Sequence, residues 1–177
     1  MKMNLKKAVC AALFAAFTAV ASQIAIPIQP VPINLAVAAV ILSGAVLGRK
    51  YGTAGILVYI LLGCAGVPVF AGMRGGLQVI TGVTGGYIAG YVLIAFIVGF
   101  ATEKSKKLGA FILSAAVGVA LCYTLGTVWY CILTKTPALA ALSACVLPFL
   151  PGDAVKIALS ALIFKKISGT KIFEKLN

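Results

Sequence analysis

The decapeptide LPFLPGDAVK places Asp153 and Lys156 three residues apart, about one helical turn, at the head of an otherwise apolar segment. Only three acidic residues occur in 177, so an acid and a base bracketed by Pro148, Pro151 and Leu159 ask for a reason. A carboxylate accepts hydrogen bonds from a polar head group, and a cation holds a carboxylate. Set within apolar helix walls, the two suit a small polar or anionic solute. Arg74, in the glycine-rich run PVFAGMRGGLQVIT, supplies a second cation, and Asn34, Gln29 and Gln78 supply amides on or beside loops. Lys135, in a loop, is a weaker further candidate.

Other chemistry is poorly provided for. Histidine is absent, no Ser lies in a recognisable nucleophile elbow, and one Asp with one Lys falls short of a catalytic acid/base set. The five cysteines, Cys10, Cys64, Cys122, Cys131 and Cys145, form no CxxC pair and mostly lie in apolar runs, so neither metal nor disulfide chemistry is expected. No GxxxxGK[ST] occurs, which excludes ATP hydrolysis by this chain. No cofactor is called for.

The elements that must position these residues are membrane spans. The chain is 62% hydrophobic and 10% charged, with a mean hydropathy of +1.13. Soluble domains are about 45–50% apolar and about 25% charged. The formal charge of +12 does not indicate nucleic acid, because the bases sit in short clusters between apolar runs and not on one basic face. The partner implied is the lipid bilayer. Apolar runs predict spans from about Ala8 to Ala25, Leu35 to Leu47, Thr53 to Val67, Gly82 to Ala101, Leu108 to Leu133 and Gly152 to Phe164. The Lys-rich start with Ala19-Val20-Ala21 also mimics a cleaved signal peptide, but it opens a series of spans and reads equally as a first helix. Pro27, Pro30 and Pro32 break the chain after that helix, and GRKYG forms a tight turn between the short second and third. Residues 68–81 read as an ordered loop at the membrane face, able to cap a pocket. Gly82, Gly86 and Gly90 strip one face of the fourth span for close packing.

Cytoplasmic loops collect Lys and Arg. Six crossings put twelve of the fifteen bases on one side: Lys2, Lys6, Lys7, Arg49, Lys50, Lys104, Lys106, Lys107, Lys165, Lys166, Lys171 and Lys175. The fold class is therefore an all-α integral membrane protein of six transmembrane helices with both termini cytoplasmic, one domain over residues 1–177. Arg74, Asp153 and Lys156 fall toward the extracytoplasmic side, where they can meet. Plainer roles compete for each. Asp153 and Lys156 suit an i,i+3 ion pair with helix capping, Arg74 an interfacial anchor, and Asn34 and Gln78 caps or loop amides. Tyr87, Tyr123, Trp129 and Tyr130 suit packing or an aromatic belt. In the first helix Ala8, Ala12 and Ala16, and likewise Ala11, Ala15 and Ala19, repeat every fourth residue, a smooth face for an internal or an external helix.

Three stretches, IPIQPVPINL, the run from LGRKYG through GVPVFAG to TGGYIAGY, and LPFLPGDAVKIALSALI, resemble the BioY family over nearly the whole chain. The departure is at Asn34, Ala36 and Val37, where many members carry a Thr and a Gln-Thr. The resemblance implies the biotin-binding substrate (S) component of an energy-coupling factor (ECF) transporter in the plasma membrane. Such a subunit captures biotin outside and delivers it inward with a transmembrane coupling protein, the T component, and two ABC ATPases. Carried over by resemblance, Arg74, Gln78, Tyr87, Asp153 and Lys156, with Asn34, line the biotin site. The small-residue face containing Ala8, Ala12 and Ala16 is similar to the family's docking surface for the coupling protein. An S component for another vitamin, or a stand-alone biotin transporter, keeps the same architecture.

Overall fold

The computed structural model describes residues 5–26 and 30–170. Pro27, Gln29, Lys2, Lys171 and Lys175 lie outside the described residues. The first helix, α1 (Leu5–Gln23), leads into a two-stranded antiparallel ladder, β1 (Ala25–Ile26) and β2 (Ile33–Asn34), with Ala25 opposite Asn34. The antiparallel pairing sets Ile33–Asn34 beside Ala25–Ile26 and delivers Asn34 directly to the start of α2 (Ala36–Cys64).

Helix α2 is bent and consists of two arms. At Gly48 the backbone takes φ 72°, ψ 176°, which glycine adopts without steric cost. Ser43 Oγ then donates to the Gly52 carbonyl at 3.2 Å. Nine residues of straight helix would hold those positions about 13 Å apart, so the second arm folds back beside the first. Glu103 clamps the bend, one carboxylate oxygen accepting from the Arg49 backbone N–H at 2.9 Å and the other pairing with its guanidinium at 3.2 Å. The short second and third spans predicted around GRKYG are these two arms.

The remaining helices are α3 (Leu77–Thr81), α4 (Gly85–Lys104), α5 (Leu108–Thr134), α6 (Ala138–Cys145) and α7 (Leu150–Ile167). Two expectations are corrected, and a helix absent from the predicted spans is added. The loop over residues 68–81 contains a helical turn, α3. Gly82 lies ahead of α4 with an extended ψ of −173°, so it does not share the Gly86–Gly90 face. The connection before LPFLPG is itself a helix, α6, meeting α7 at 51°. Among the described residues, α1, α2, α4 and α5 are each long and apolar enough to cross a bilayer, and α6 with α7 qualifies as a bent pair. Their outer faces carry exposed Leu13, Leu113, Ile132 and Leu162, as an integral membrane protein requires.

Packing follows the small residues. A Cβ built at Gly86 would sit 2.4 Å from Trp129 Cβ, and one at Gly90 2.6 Å from Cys122 Sγ, so α4 and α5 approach at backbone distance. Gly44 lets α2 approach α4 as closely, a Cβ there falling 2.3 Å from the Ala95 carbonyl oxygen. Phe111 of α5 stacks on Phe164 of α7 at 4.5 Å, and both are fully buried. Arg49, Glu103 and Lys104 therefore gather at one end of the bundle, with the starts of α4 and α7 at the other.

Gly44→Ala should lower thermal stability in detergent by about 1–3 kcal/mol through overpacking against an immovable backbone oxygen. Gly109→Ala, whose methyl group would meet nothing within 4 Å, should be neutral or slightly stabilising in the same melting experiment.

Candidate functional site

Asp153 sits in the first turn of α7, where Pro151 occupies an early position that needs no donor. A capping role would turn its carboxylate toward free backbone N–H groups, yet no side chain caps this helix. The Asp153 backbone N–H already donates to the Phe149 carbonyl at 2.8 Å, and its carboxylate turns inward. Lys156 Nζ donates to Asp153 Oδ1 at 2.6 Å, and the Tyr123 hydroxyl of α5 donates to Oδ2 in a short hydrogen bond. Asp153 is 4% exposed and Lys156 5%. An isolated ion at such depth is very costly, so acid and base must arrive together, and Tyr123 satisfies the second oxygen.

This trio lines one compartment of about 390 Å³, counting its open mouth, with Val37, Ile94, Val119 and Phe149 as apolar walls. A second compartment of about 370 Å³ is bounded by Tyr59, Phe70, Ala71, Arg74 and Thr84. The two share Val31, Pro32, Asn34, Tyr87 and Tyr91, so they form neighbouring lobes with an aromatic waist. Cation, carboxylate, amide and phenol groups converge on this double lobe, which suits a ligand with two polar ends and an apolar middle.

Local structure explains how each group reaches it. Asn34 is held by the β1–β2 ladder, and its Oδ1 accepts from the Ala36 backbone N–H at 3.1 Å, starting α2. It also lines both lobes at the waist, together with Tyr91. Capping and lining coincide in this residue. Tyr87, in the first turn of α4, exchanges a hydrogen bond with Thr127 Oγ1 of α5 at 3.1 Å, and its ring lies against Gly126. Arg74 is exposed at the rim, on a turn closed by reciprocal backbone bonds to Phe70 of 2.9 and 3.2 Å. Its Nε donates to the Ala71 carbonyl at 3.1 Å.

Asn34, Tyr87, Arg74, Asp153 and Lys156 are thus brought together; Gln78 is not. Gln78 is exposed, donates to the Gly75 carbonyl at 2.9 Å and lines a groove outside the rim that it shares with Arg74. Sequence reasoning leaves out Tyr91 and Tyr59, and gives Tyr123 to packing or an aromatic belt. On α5 the buried Val119, Cys122 and Gly126 mark the inner face, and Tyr123, four residues after Val119, falls beside it. That spacing was the available signal. Trp129 donates its indole N–H to the Gly82 carbonyl at 2.9 Å, pinning α5 to the segment before α4.

The two alanine stripes of α1 separate. Ala11 and Ala15 are buried, and Gly55 of α2 comes so close that a Cβ there would lie 2.8 Å from the Ala11 carbonyl oxygen. Ala12 and Ala16 are exposed and Ala8 partly so. Among the described residues no cluster of His, Cys, Asp or Glu could hold a metal ion.

Comparison with known proteins gives a concordant result. The model of the BioY family matches residues 1–171. A biotin transporter BioY of Thermotoga maritima is 37% identical over 168 residues, spanning 95% of this chain and 99% of its own. A probable biotin transporter BioY of Pyrococcus horikoshii is 39% identical over 167 residues, spanning 94% and 99%. The crystal structure of the S-component for biotin from an ECF-type ABC transporter superposes with a TM-score of 0.91 at 28% identity, over 99% of both chains.

The buried trio sets an order of stabilities. Asp153→Asn leaves the Lys156 ammonium without its counter-charge and should cost about 3–5 kcal/mol. Tyr123→Phe, which removes one hydrogen bond to a charged group, should cost about 1–3 kcal/mol. The double change Asp153→Leu with Lys156→Met should melt closer to wild type than Asp153→Asn does, as read by thermal unfolding in detergent.

Proposed function

This chain belongs to the BioY family, and on that footing we propose that it binds biotin as the S component of an ECF-type vitamin uptake transporter. Biotin has a ureido ring with two N–H donors and one carbonyl acceptor, a sulfur-containing apolar ring, and an aliphatic tail ending in a carboxylate. The lobe holding Asp153, Lys156 and Tyr123 matches the bicyclic head. Asp153 accepts from ureido N–H groups, Lys156 donates to the ureido carbonyl, and the apolar walls take the ring. Arg74, at the rim of the other lobe, matches the tail carboxylate by a charge-assisted hydrogen bond. Tyr87, Tyr91 and Asn34 form the passage between them. The observation that carries this reading is the buried Asp153–Lys156 pair facing a pocket instead of capping its helix. In this assignment Gln78 acts from the outer groove, reaching solute as it passes the Arg74 rim.

Binding requires rearrangement within the trio. Both Asp153 oxygens already accept, one from Lys156 and one from Tyr123, so a ureido N–H must share or replace a partner. That exchange favours a ligand bringing both a donor and an acceptor to the same spot, because it compensates Asp153 and Lys156 at once. A simple apolar acid or amine offers only half.

The topology proposed is six crossings of the plasma membrane as one domain over residues 1–177, the two arms of α2 counted separately and both termini cytoplasmic. Supporting it, the Arg49–Glu103 end of the bundle carries Lys104 and Lys50, while the pocket lies at the opposite end. The protein is a transporter subunit, not an enzyme. ATP hydrolysis belongs to two ABC ATPases joined through the T component. The exposed Ala12 and Ala16, with Ala8, offer that partner a helix face without protruding side chains. Biotin is captured outside and released inside as the subunit reorients against its partner.

Titration of the purified protein with biotin, riboflavin and thiamine in a calorimeter should give binding to biotin alone. Lys156→Met and Asp153→Ala should each weaken biotin by about 10–100-fold, the loss of one buried hydrogen bond to a charged group. Unchanged affinity in both would remove the site. Uptake into vesicles should require the T component and the ATPases, and Ala12→Leu with Ala16→Leu should abolish uptake while leaving biotin affinity in detergent unaltered.

A further inference from the structure

Arg74 is offered to the pocket by a strained turn. Gly72 has φ 73°, and Met73, which has a side chain, has φ 56°, the left-handed region that residues other than glycine seldom occupy. Such a conformation persists only where its surroundings fix it. Two reciprocal backbone bonds join Phe70 to Arg74 across the base of the turn. They leave the Met73 N–H and the Val69 carbonyl to be satisfied from elsewhere, while the Phe70 carbonyl, which accepts from the Arg74 N–H, keeps a second lone pair open.

The last residues of α1 supply those partners. Gln23 Oε1 accepts the Met73 N–H at 2.9 Å. Gln23 Nε2 lies 3.1 Å from the Val69 carbonyl and 3.2 Å from the Phe70 carbonyl, its two hydrogens shared between these and the nearby Ala19 carbonyl and Ser22 Oγ at 3.1 and 3.0 Å. Ser22 Oγ, fully buried, donates to the same Val69 carbonyl. One side-chain amide therefore meets three backbone groups of the turn, donor against acceptor and acceptor against donor, across about fifty residues of sequence. Phe70, whose carbonyl it holds, packs edge-on against Tyr59 at 5.6 Å and walls the lobe that Arg74 rims.

We infer that Gln23 is a positioning residue for the carboxylate end of the ligand: it holds the 69–74 turn so that Arg74 stands at the pocket rim. The inference rests on the proposed binding of biotin, with Arg74 meeting the tail carboxylate. Gln23 itself touches no ligand. Its effect is on selectivity for an anionic tail over a neutral one, because only that contact depends on where the turn holds the guanidinium. Recognition of the ureido ring, at Asp153 and Lys156, is independent of it.

The test compares biotin with biotinamide, whose tail is uncharged, by calorimetric titration of wild type, Gln23→Met, Arg74→Gln and the double variant. Met keeps the length of Gln without its hydrogen bonds. Gln23→Met should cut the biotin-over-biotinamide preference about fivefold or more, and combining it with Arg74→Gln should reduce the preference no further than Arg74→Gln alone. Limited trypsin digestion gives a second readout. In Gln23→Met, cleavage after Arg74 should speed up while cleavage after Lys50 and Lys104, at the far end of the bundle, does not. An unchanged preference with Arg74→Gln still lowering it, or cleavage faster at both ends alike, would overturn the role of Gln23. A wild type that binds no biotin, or an Arg74→Gln variant with unaltered preference, would instead overturn the ligand assignment, and the digestion would still decide whether Gln23 holds the turn.

Discussion

An acid and a base held inside an apolar helix bundle can exist only as a pair. The contact between Lys156 Nζ and Asp153 Oδ1 is the interaction around which the site is arranged. Each ion alone would cost several kcal/mol, a large share of a fold's stability, and even the pair needs its remaining lone pairs and protons satisfied. That requirement explains why Tyr123 points its hydroxyl across from α5, and why α7 leaves its first turn without a side-chain cap. Replacement by a well-packed apolar pair would serve stability as well or better. Retention of the ions beside a pocket therefore indicates recognition chemistry more strongly than structural need.

Glycine sets the distances within which that chemistry works. Gly86, Gly90 and Gly126 bring α4 and α5 to backbone contact, so Tyr87 and Tyr123, on different helices, reach the same cavity. Gly44 does the same for α2 against α4. The bend at Gly48 then returns α2 to the pocket end, where Tyr59 of its second arm and Asn34 just before its first both line the lobes. In a membrane, where apolar surface is equally satisfied by lipid or protein, such close approach is a principal source of helix association.

Much of this was legible in the residues because charge is scarce. In so apolar a chain, Asp153, Lys156 and Arg74 stand out without any alignment, and the glycine flanks of GRKYG announced the bend. What stayed hidden depended on direction. Tyr123 suits packing and a belt equally, because an aromatic near the end of a span looks the same from either face; only the position of α5 against α7 turns it inward. Gln78 lies four residues from Arg74, yet its amide folds back on Gly75 and faces the outer groove. Eight residues, ALAALSAC, are too short to announce α6. Gly82 fits the four-residue spacing of Gly86 and Gly90, but the spacing does not reveal that the helix starts at Gly85. The alanine stripes showed two smooth faces of α1, and the packing of Ala11 on α2 decides which of them is left uncovered.

Trp129 gives the molecule an optical property of its own. It is the single tryptophan of the chain, exposed on α5, and its indole N–H is tied to the carbonyl of Gly82 at the seam between the rim loop and α4. Indole emission shifts with the polarity around the ring and with the hydrogen bond at its nitrogen. The chain thus carries an intrinsic fluorophore where the rim loop meets the close-packed α4–α5 pair, and its colour registers the state of that seam without any attached dye.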